Sequence, residues 1–208
     1  MATGKRLTAA ERRTQLITVG RTVFAERGYD GASVEEIAER AGVSKPIVYE
    51  HFGGKEGLYA VIVDREMEQV IADVSAAISE GSPRDRVGAA TLAFLKYVKE
   101  QPDGFAVLSR DAPANVGMAS LLAEVGERVG KIFATEFKRA GYDPKSAPIY
   151  AQALIGMVTF VGQWWTENRK LSIEDVASHV TALAWMGLRH LPERPERVEV
   201  SRAEADTE

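Results

Sequence analysis

Residues 33–55, SVEEIAERAGVSKPIVYEHFGGK, carry two helix starts and one tight turn within 23 residues. Ser33 stands three residues before Glu36, the spacing of a capping box, and the apolar Ile37, Ala38 and Ala41 follow it. Gly42-Val43-Ser44 reads as a turn, because glycine readily takes the left-handed backbone conformation that a tight turn demands. Ala38, Gly42 and Val48 lie at i, i+4 and i+10. In a helix-turn-helix, a small Ala38 lets two helices cross closely, Gly42 makes the turn, and Val48 plugs the gap between the helices. Ser44 is placed to cap the second helix, whose free N-terminal amides favour a nearby phosphate. The outward positions of that helix are then Lys45, Pro46, Ile47, Tyr49, Glu50 and His51. A short helix presenting lysine, apolar, tyrosine and histidine side chains suits a DNA major groove lined by phosphates and thymine methyls. An ordinary helical hairpin with solvated charges shows the same small residues, so the motif alone leaves both readings open.

On either side the apolar periodicity is helical nearly throughout, and no period-two run is long enough for a strand. Thr8 and Glu11 form another capping box, opening a helix with Leu16, Ile17, Gly20, Val23 and Phe24 on one face; Gly28 is placed to end it. From Lys55, the run Leu58, Val61, Ile62, Val70, Ile71, Val74 and Ile78 predicts a single helix of about 25 residues. Gly81-Ser82-Pro83 breaks it, with Ser82 as cap and Pro83 as first residue of the next helix. Further breaks fall at 101–104, 111–113 and 141–144, and Ser172 caps a last helix that stops at Leu191-Pro192. The expectation is an all-α chain of about nine helices joined by short loops. It divides into a helix-turn-helix domain over 1–54, a ligand-binding and dimerisation bundle over 55–191, and a charged, disordered tail over 192–208.

Composition removes several function classes. The absence of cysteine excludes disulfides, a thiolate nucleophile and any cysteine-ligated metal. Of the three histidines, His51, His179 and His190, the last two lie 11 residues apart on one helix. That is about 16 Å, too far for one metal ion. No Ser-His-Asp set, paired carboxylates or glycine-rich phosphate loop stands out, so neither an enzyme nor a cofactor is expected. No apolar stretch approaches the roughly 20 residues a membrane helix needs. Met1 to Ala10 lacks the apolar core of a signal peptide, so a cytoplasmic protein with no membrane partner is expected. The formal net charge of −4 argues against indiscriminate nucleic-acid binding, yet residues 1–55 hold nine Lys/Arg against seven Asp/Glu.

A helix followed by S-V-E-E-I-A-E-R-A-G-V-S-K-P-I-V-Y-E-H-F-G-G-K-E-G-L-Y, early in a 208-residue helical chain, resembles the tetracycline-repressor (TetR) family. The resemblance is specific over residues 10–60 and beyond them rests on length and helix count. It implies a homodimer whose two heads read a near-palindromic operator on double-stranded DNA, and a small-molecule effector in the C-terminal domain that lowers DNA affinity. By position, Lys45, Pro46 and Ile47 match the groove-facing start of the family's recognition helix. Tyr49 and His51 match its phosphate-contacting aromatic positions, Lys55 its phosphate-contacting lysine, and Ser33 the cap of the second helix. Glu50 departs from a comfortable DNA contact, since it repels phosphate unless it accepts from a cytosine amine. Arg6, Arg12 and Arg13 are further phosphate candidates or a solvated face.

Residues 148–167 are apolar on more than one face, through Leu154, Met157, Val158, Phe160, Val161, Trp164 and Trp165, so that helix must be covered on opposite sides. The last helix repeats the pattern. A four-helix interface across a two-fold axis is therefore expected, built from Gly156, Val161, Trp165, Val176, Val180, Leu183, Ala184, Gly187 and Leu188. Phe94, Tyr97, Phe105, Leu108, Met118, Leu121, Met157, Phe160 and Trp164, with Phe133, are the candidates to line a cavity; for any one of them plain core packing is the alternative. Together they suit an apolar effector, a fatty-acyl or aromatic compound. The reading is a repressor released from its operator by a lipophilic ligand. The alternatives are a constitutive or architectural DNA-binding protein whose C-terminal domain only dimerises and, more remotely, a helical enzyme or lipid carrier.

Overall fold

The computed structural model describes residues 7–109, 118–193 and 195, with side chains throughout except at 118–120. Among the described residues there are nine α-helices and no strand. The break expected at 111–113 lies outside them, as does most of the expected tail.

Helix α1 (Ala9–Gly31) opens on the expected capping box: Thr8 Oγ1 accepts from the Glu11 amide at 3.2 Å and Glu11 Oε2 from the Thr8 amide at 2.8 Å. Gly28, at φ +72°, kinks the helix instead of ending it, and one more turn runs to Gly31. Helix α2 (Val34–Arg40) keeps half its box. Ser33 Oγ accepts from the Glu36 amide at 3.1 Å, while the Glu36 carboxylate turns to Arg40 at 2.6 Å and Arg27 at 3.4 Å. Gly42 makes the turn at φ +65°, and α3 (Lys45–Phe52) ends on Gly53 at φ +75°. Ala38 and Val48 are buried where α2 and α3 cross. With Leu16, Val23, Phe24, Ile37 and Leu58 they form the core of the head. Each fully buried aliphatic side chain there stabilises by roughly 1.5–3 kcal/mol.

Helix α4 (Lys55–Ala77) runs from the head into the body, followed by α5 (Pro83–Glu100), α6 (Pro102–Ser109), α7 (Met118–Ala140), a 3-10 turn (Pro144–Ser146), α8 (Ala147–Glu167) and α9 (Ile173–Arg189). Ser82 and Ser172 cap α5 and α9 as expected, accepting from the amides of Asp85 at 3.3 Å and Asp175 at 3.0 Å. In the body, α5 packs on α4 and α9, and α7 pairs with α8. Helix α6 packs back against α1 of the head, so the buried core runs unbroken from head to body.

Candidate nucleic-acid interface and internal cavity

Helix α3 presents Lys45, Pro46, Tyr49 and Glu50 to solvent, whereas Ile47 and His51 are half-buried. Ser44 occupies the N-cap position with extended backbone, but its hydroxyl makes no cap bond, so the first amides of α3 are not held by it. Pro46 removes one donor from that set. The Lys45 ammonium lies 5.9 Å from the Tyr49 ring centroid and is paired with the Glu35 carboxylate of α2. Their hydrogen bond pushes the lysine above its ordinary range and holds the carboxyl below its own. Neither the spacing argument nor the resemblance singled out Glu35; the only trace in the sequence is an acidic side chain on the outer face of α2.

Several candidate contacts are already engaged within the chain. Lys55 Nζ donates to the carbonyls of Tyr29 at 3.0 Å and Ala32 at 3.3 Å and sits 4.4 Å from the Tyr29 ring centroid. It clamps the kinked end of α1, two of its three donors turned inward. The Ser33 hydroxyl serves the α2 cap. Arg13 Nη1 donates to the His51 carbonyl at 2.9 Å, its guanidinium 4.5 Å from the Phe52 ring centroid, and so buttresses the end of α3. Arg12 donates to Gln15 Oε1 at 2.6 Å, and Arg6 lies outside the described residues.

The body holds a half-open cavity of about 620 Å³ between α4, α5, α7, α8 and α9. Its wall is Val70, Val74 and Ile78 of α4, Ala90 and Phe94 of α5, the whole inner face of α7 from Leu121 to Ala140, Leu154 and Val158 of α8, and Trp185 and Leu188 of α9. Nineteen helical steps along α7 make it about 28 Å long. Polar groups are few: Arg86, Thr91, Glu136, Tyr142 and Thr159. The cavity is long and mostly apolar.

Of the residues expected to line it, Phe94 and Leu121 do, as does Phe133. The others stand elsewhere. Tyr97 is buried and donates to Glu66 Oε2 at 2.8 Å, and Phe105 and Leu108 belong to the packed core. Met157 and Trp164 line a shallow groove on the outer side of α8, and Phe160 points outward, 73% exposed. The side chain of Met118 lies outside the described residues.

The expected interface set divides similarly. Trp165 is buried, its indole donating to the Leu171 carbonyl at 2.9 Å, and Val176, Val180 and Ala184 pack within the chain. Leu188 faces the cavity, Gly156 and Val161 are half-buried, and Leu183 and Gly187 are exposed. The outer apolar face of α8 and α9 is instead Ile149, Phe160, Trp164, Leu183 and Met186, each at least half exposed. Periodicity identified α8 as two-sided but not which side faces what, so Phe160 and Trp164 were expected on the wrong one. Among the described residues, no group of three or more His, Asp or Glu side chains is arranged to hold a metal, and no helix is long and apolar enough to cross a membrane.

Residues 16–62 match the tetR family of bacterial regulatory proteins, and residues 73–200 match a tetracyclin repressor-like C-terminal domain. The chain is 28% identical over 193 residues to the HTH-type transcriptional activator FasR of Mycolicibacterium smegmatis, covering 91% of this chain and 88% of that protein. A TetR-like transcriptional regulator from Rhodococcus sp. RHA1 superposes with a TM-score of 0.72 at 26% identity, over 89% of this chain and all of that one. AibR, solved in complex with isovaleryl coenzyme A and operator DNA, shares the fold at a TM-score of 0.67 and 19% identity, over 83% of this chain and 97% of its own.

Proposed function

The chain belongs to the TetR family and is a transcriptional regulator with a DNA-binding helix-turn-helix, not an enzyme; on that premise we propose that it is a homodimeric operator-binding protein of the cytoplasm whose DNA affinity is set by an elongated, apolar, acyl-type ligand. The observation that carries this reading is the cavity of about 620 Å³ walled in part by α4, the same helix that begins at the head. A ligand favouring one position of α4 changes the separation of the two heads, and it acts only through its different affinities for the two states. In simple helix-turn-helix dimers the recognition helices sit about 34–36 Å apart, so a modest tilt disturbs both half-sites.

The exposed face of Phe160, Trp164, Leu183 and Met186 supports a two-fold interface through α8 and α9. Lys45, Pro46, Ile47 and Tyr49 at the start of α3 are the proposed base-reading and phosphate-contacting set, with Ser44, His51, Ser33 and Lys55 around them. Lys45 must exchange Glu35 for DNA on binding. Occupancy of an operator over a promoter represses; occupancy upstream of one leaves room for activation, which accommodates a relative called an activator. Selection from a random DNA pool tests the reading, with a Lys45→Ala/Tyr49→Ala protein run in parallel. A two-fold symmetric site, lost in the variant, is the expected result. Salt-sensitive binding shared by both proteins contradicts it.

A further inference from the structure

Leu58, Ile62, Glu66, Val70 and Val74 follow one another at every fourth position of α4, and Ile78 at its C-cap continues the row. Leu58 and Ile62 meet the head: a Cβ on Gly20 of α1 would come within 2.9 Å of Leu58 and 3.1 Å of Ile62. Val70, Val74 and Ile78 line the cavity. Glu66, between the two groups, is the polar residue of the stripe, and it is buried to 8% exposure. A buried carboxylate persists only where donors hold it. Tyr97 Oη of α5 donates to Oε2 at 2.8 Å, and Arg21 Nη1 of α1 donates to Oε1 at 3.2 Å. The same arginine nitrogen donates to Gln101 Oε1, between α5 and α6, at 3.0 Å. Gly104 of α6 closes over the pair, where any Cβ would overlap Glu66 Oε2. Alongside, Thr22 Oγ1 of α1 donates to Asp103 Oδ2 of α6 at 2.9 Å.

Four helices therefore meet at one carboxylate, and two of them reach the cavity within a turn: Val70 is four residues beyond Glu66, and Phe94 three before Tyr97. Burial, with the Glu66 charge beside it, pushes the Tyr97 hydroxyl far above the ordinary phenol range, so it remains a donor. Among the described residues the network is incompletely satisfied, because Arg21 Nε is buried without a partner there. An unpaired buried donor leaves a second arrangement something to gain. A well-packed apolar side chain in place of Glu66 would serve a purely structural role as well.

We propose that Glu66, held between Tyr97 and Arg21, is the joint that sets the angle of the DNA-binding head on the body and relays the contents of the cavity to it, with Glu66 and Tyr97 as positioning residues. This rests on the ligand-responsive reading above. A chain lodged against Val70 and Phe94 displaces Glu66 and Tyr97 along the same helices, and Arg21 carries the shift to α1.

Tyr97→Phe removes one O–H group; Glu66→Gln keeps the shape and removes the charge. Both are compared with the wild type, as full chains, by thermal unfolding, by hydrogen exchange, and by affinity for operators with normal or displaced half-sites, with and without palmitate. In either variant that stays folded, amides of α1 beyond Arg21 and of α6 should exchange about tenfold faster, while α2 and α3 keep wild-type rates. The penalty for displaced half-sites should shrink by about fivefold or more, and palmitate should still bind but no longer shift operator affinity. Wild-type exchange at α1 and α6 in both variants overturns the proposal. So does lowered stability with spacing discrimination and palmitate response intact, which marks a structural role alone. A wild type that selects no operator, or whose operator affinity no saturated fatty acid shifts, defeats the regulatory reading by itself, whereas wild-type exchange at α1 and α6 in both variants overturns the joint whatever the ligand does.

Discussion

In the head, Leu16, Phe24, Ile37, Val48 and Leu58 are at most 1% exposed and pack on one another, whereas in the body Val125, Val129 and Leu154 border a void of about 620 Å³. The body also turns Phe160, Leu183 and Met186 outward at 73%, 68% and 58% exposure. The head uses its apolar side chains to hold itself together and offers solvent a polar reading face. Among the described residues the body leaves two apolar surfaces uncovered, one lining the cavity and one outside. Head and body are thus built from the same kind of element with different degrees of filling.

The contrast breaks most plainly under truncation. Phe24→Ala should cost about 3–5 kcal/mol in denaturant unfolding, because a packed core relaxes only partly around the loss. Val129→Ala, which enlarges an existing void, should cost less than about 1 kcal/mol. Equal losses would mean that the body is as tightly packed as the head. Next in size, Phe160→Glu combined with Leu183→Glu should convert a dimer to monomers in sedimentation at micromolar concentration, with little change in helix content. A wild-type monomer, or a dimer indifferent to both charges, removes the outer face from the account.

On the reading face the effects are smaller. Lys45→Ala should lower operator affinity by about 1–3 kcal/mol, and random-DNA affinity by less. Lys55→Met should lower the melting temperature by unclamping α1. It flattens the salt dependence of binding, by about one unit of slope, only if the third ammonium donor also reaches a phosphate. Smallest is an acid effect shared by the two regions. Glu11 in the head is held below the usual carboxylate range by the Thr8 amide and then its hydroxyl, and Asp85 in the body by the Ser82 hydroxyl and then its amide. A depressed folded-state pKa gives stability that is present above the unfolded value and lost as pH falls through the folded one. Glu11→Gln/Asp85→Asn should therefore lower the neutral plateau of the melting-temperature profile slightly and flatten its acid limb, the two proteins converging at low pH.

The parts of this architecture that were legible in the sequence are those fixed by three or four neighbouring residues. The caps at Thr8, Ser82 and Ser172 and the turn at Gly42 depend on local hydrogen bonds and backbone freedom. Side-chain destinations on α8 were not legible in that way. Val158 and Phe160 stand about 200° apart on the helix, so one faces the cavity and the other solvent, but nothing local says which. Lys55 turns inward because the kink at Gly28 brings the carbonyls of Tyr29 and Ala32 to it, a consequence of one backbone dihedral. Glu66 carried a faint signal, a lone carboxylate in a four-residue apolar repeat, but its partners lie 31 and 45 residues away.

The claim that joins these regions is that the cavity and the DNA face are thermodynamically linked. Titrating the operator complex with saturated fatty acids of increasing length, while following the fluorescence of Trp185 on the cavity wall, tests it most directly. The account predicts a chain length at which Trp185 responds and operator affinity shifts about tenfold, with the operator changing ligand affinity by the same factor. A ligand that fills the cavity and leaves operator affinity untouched would contradict it.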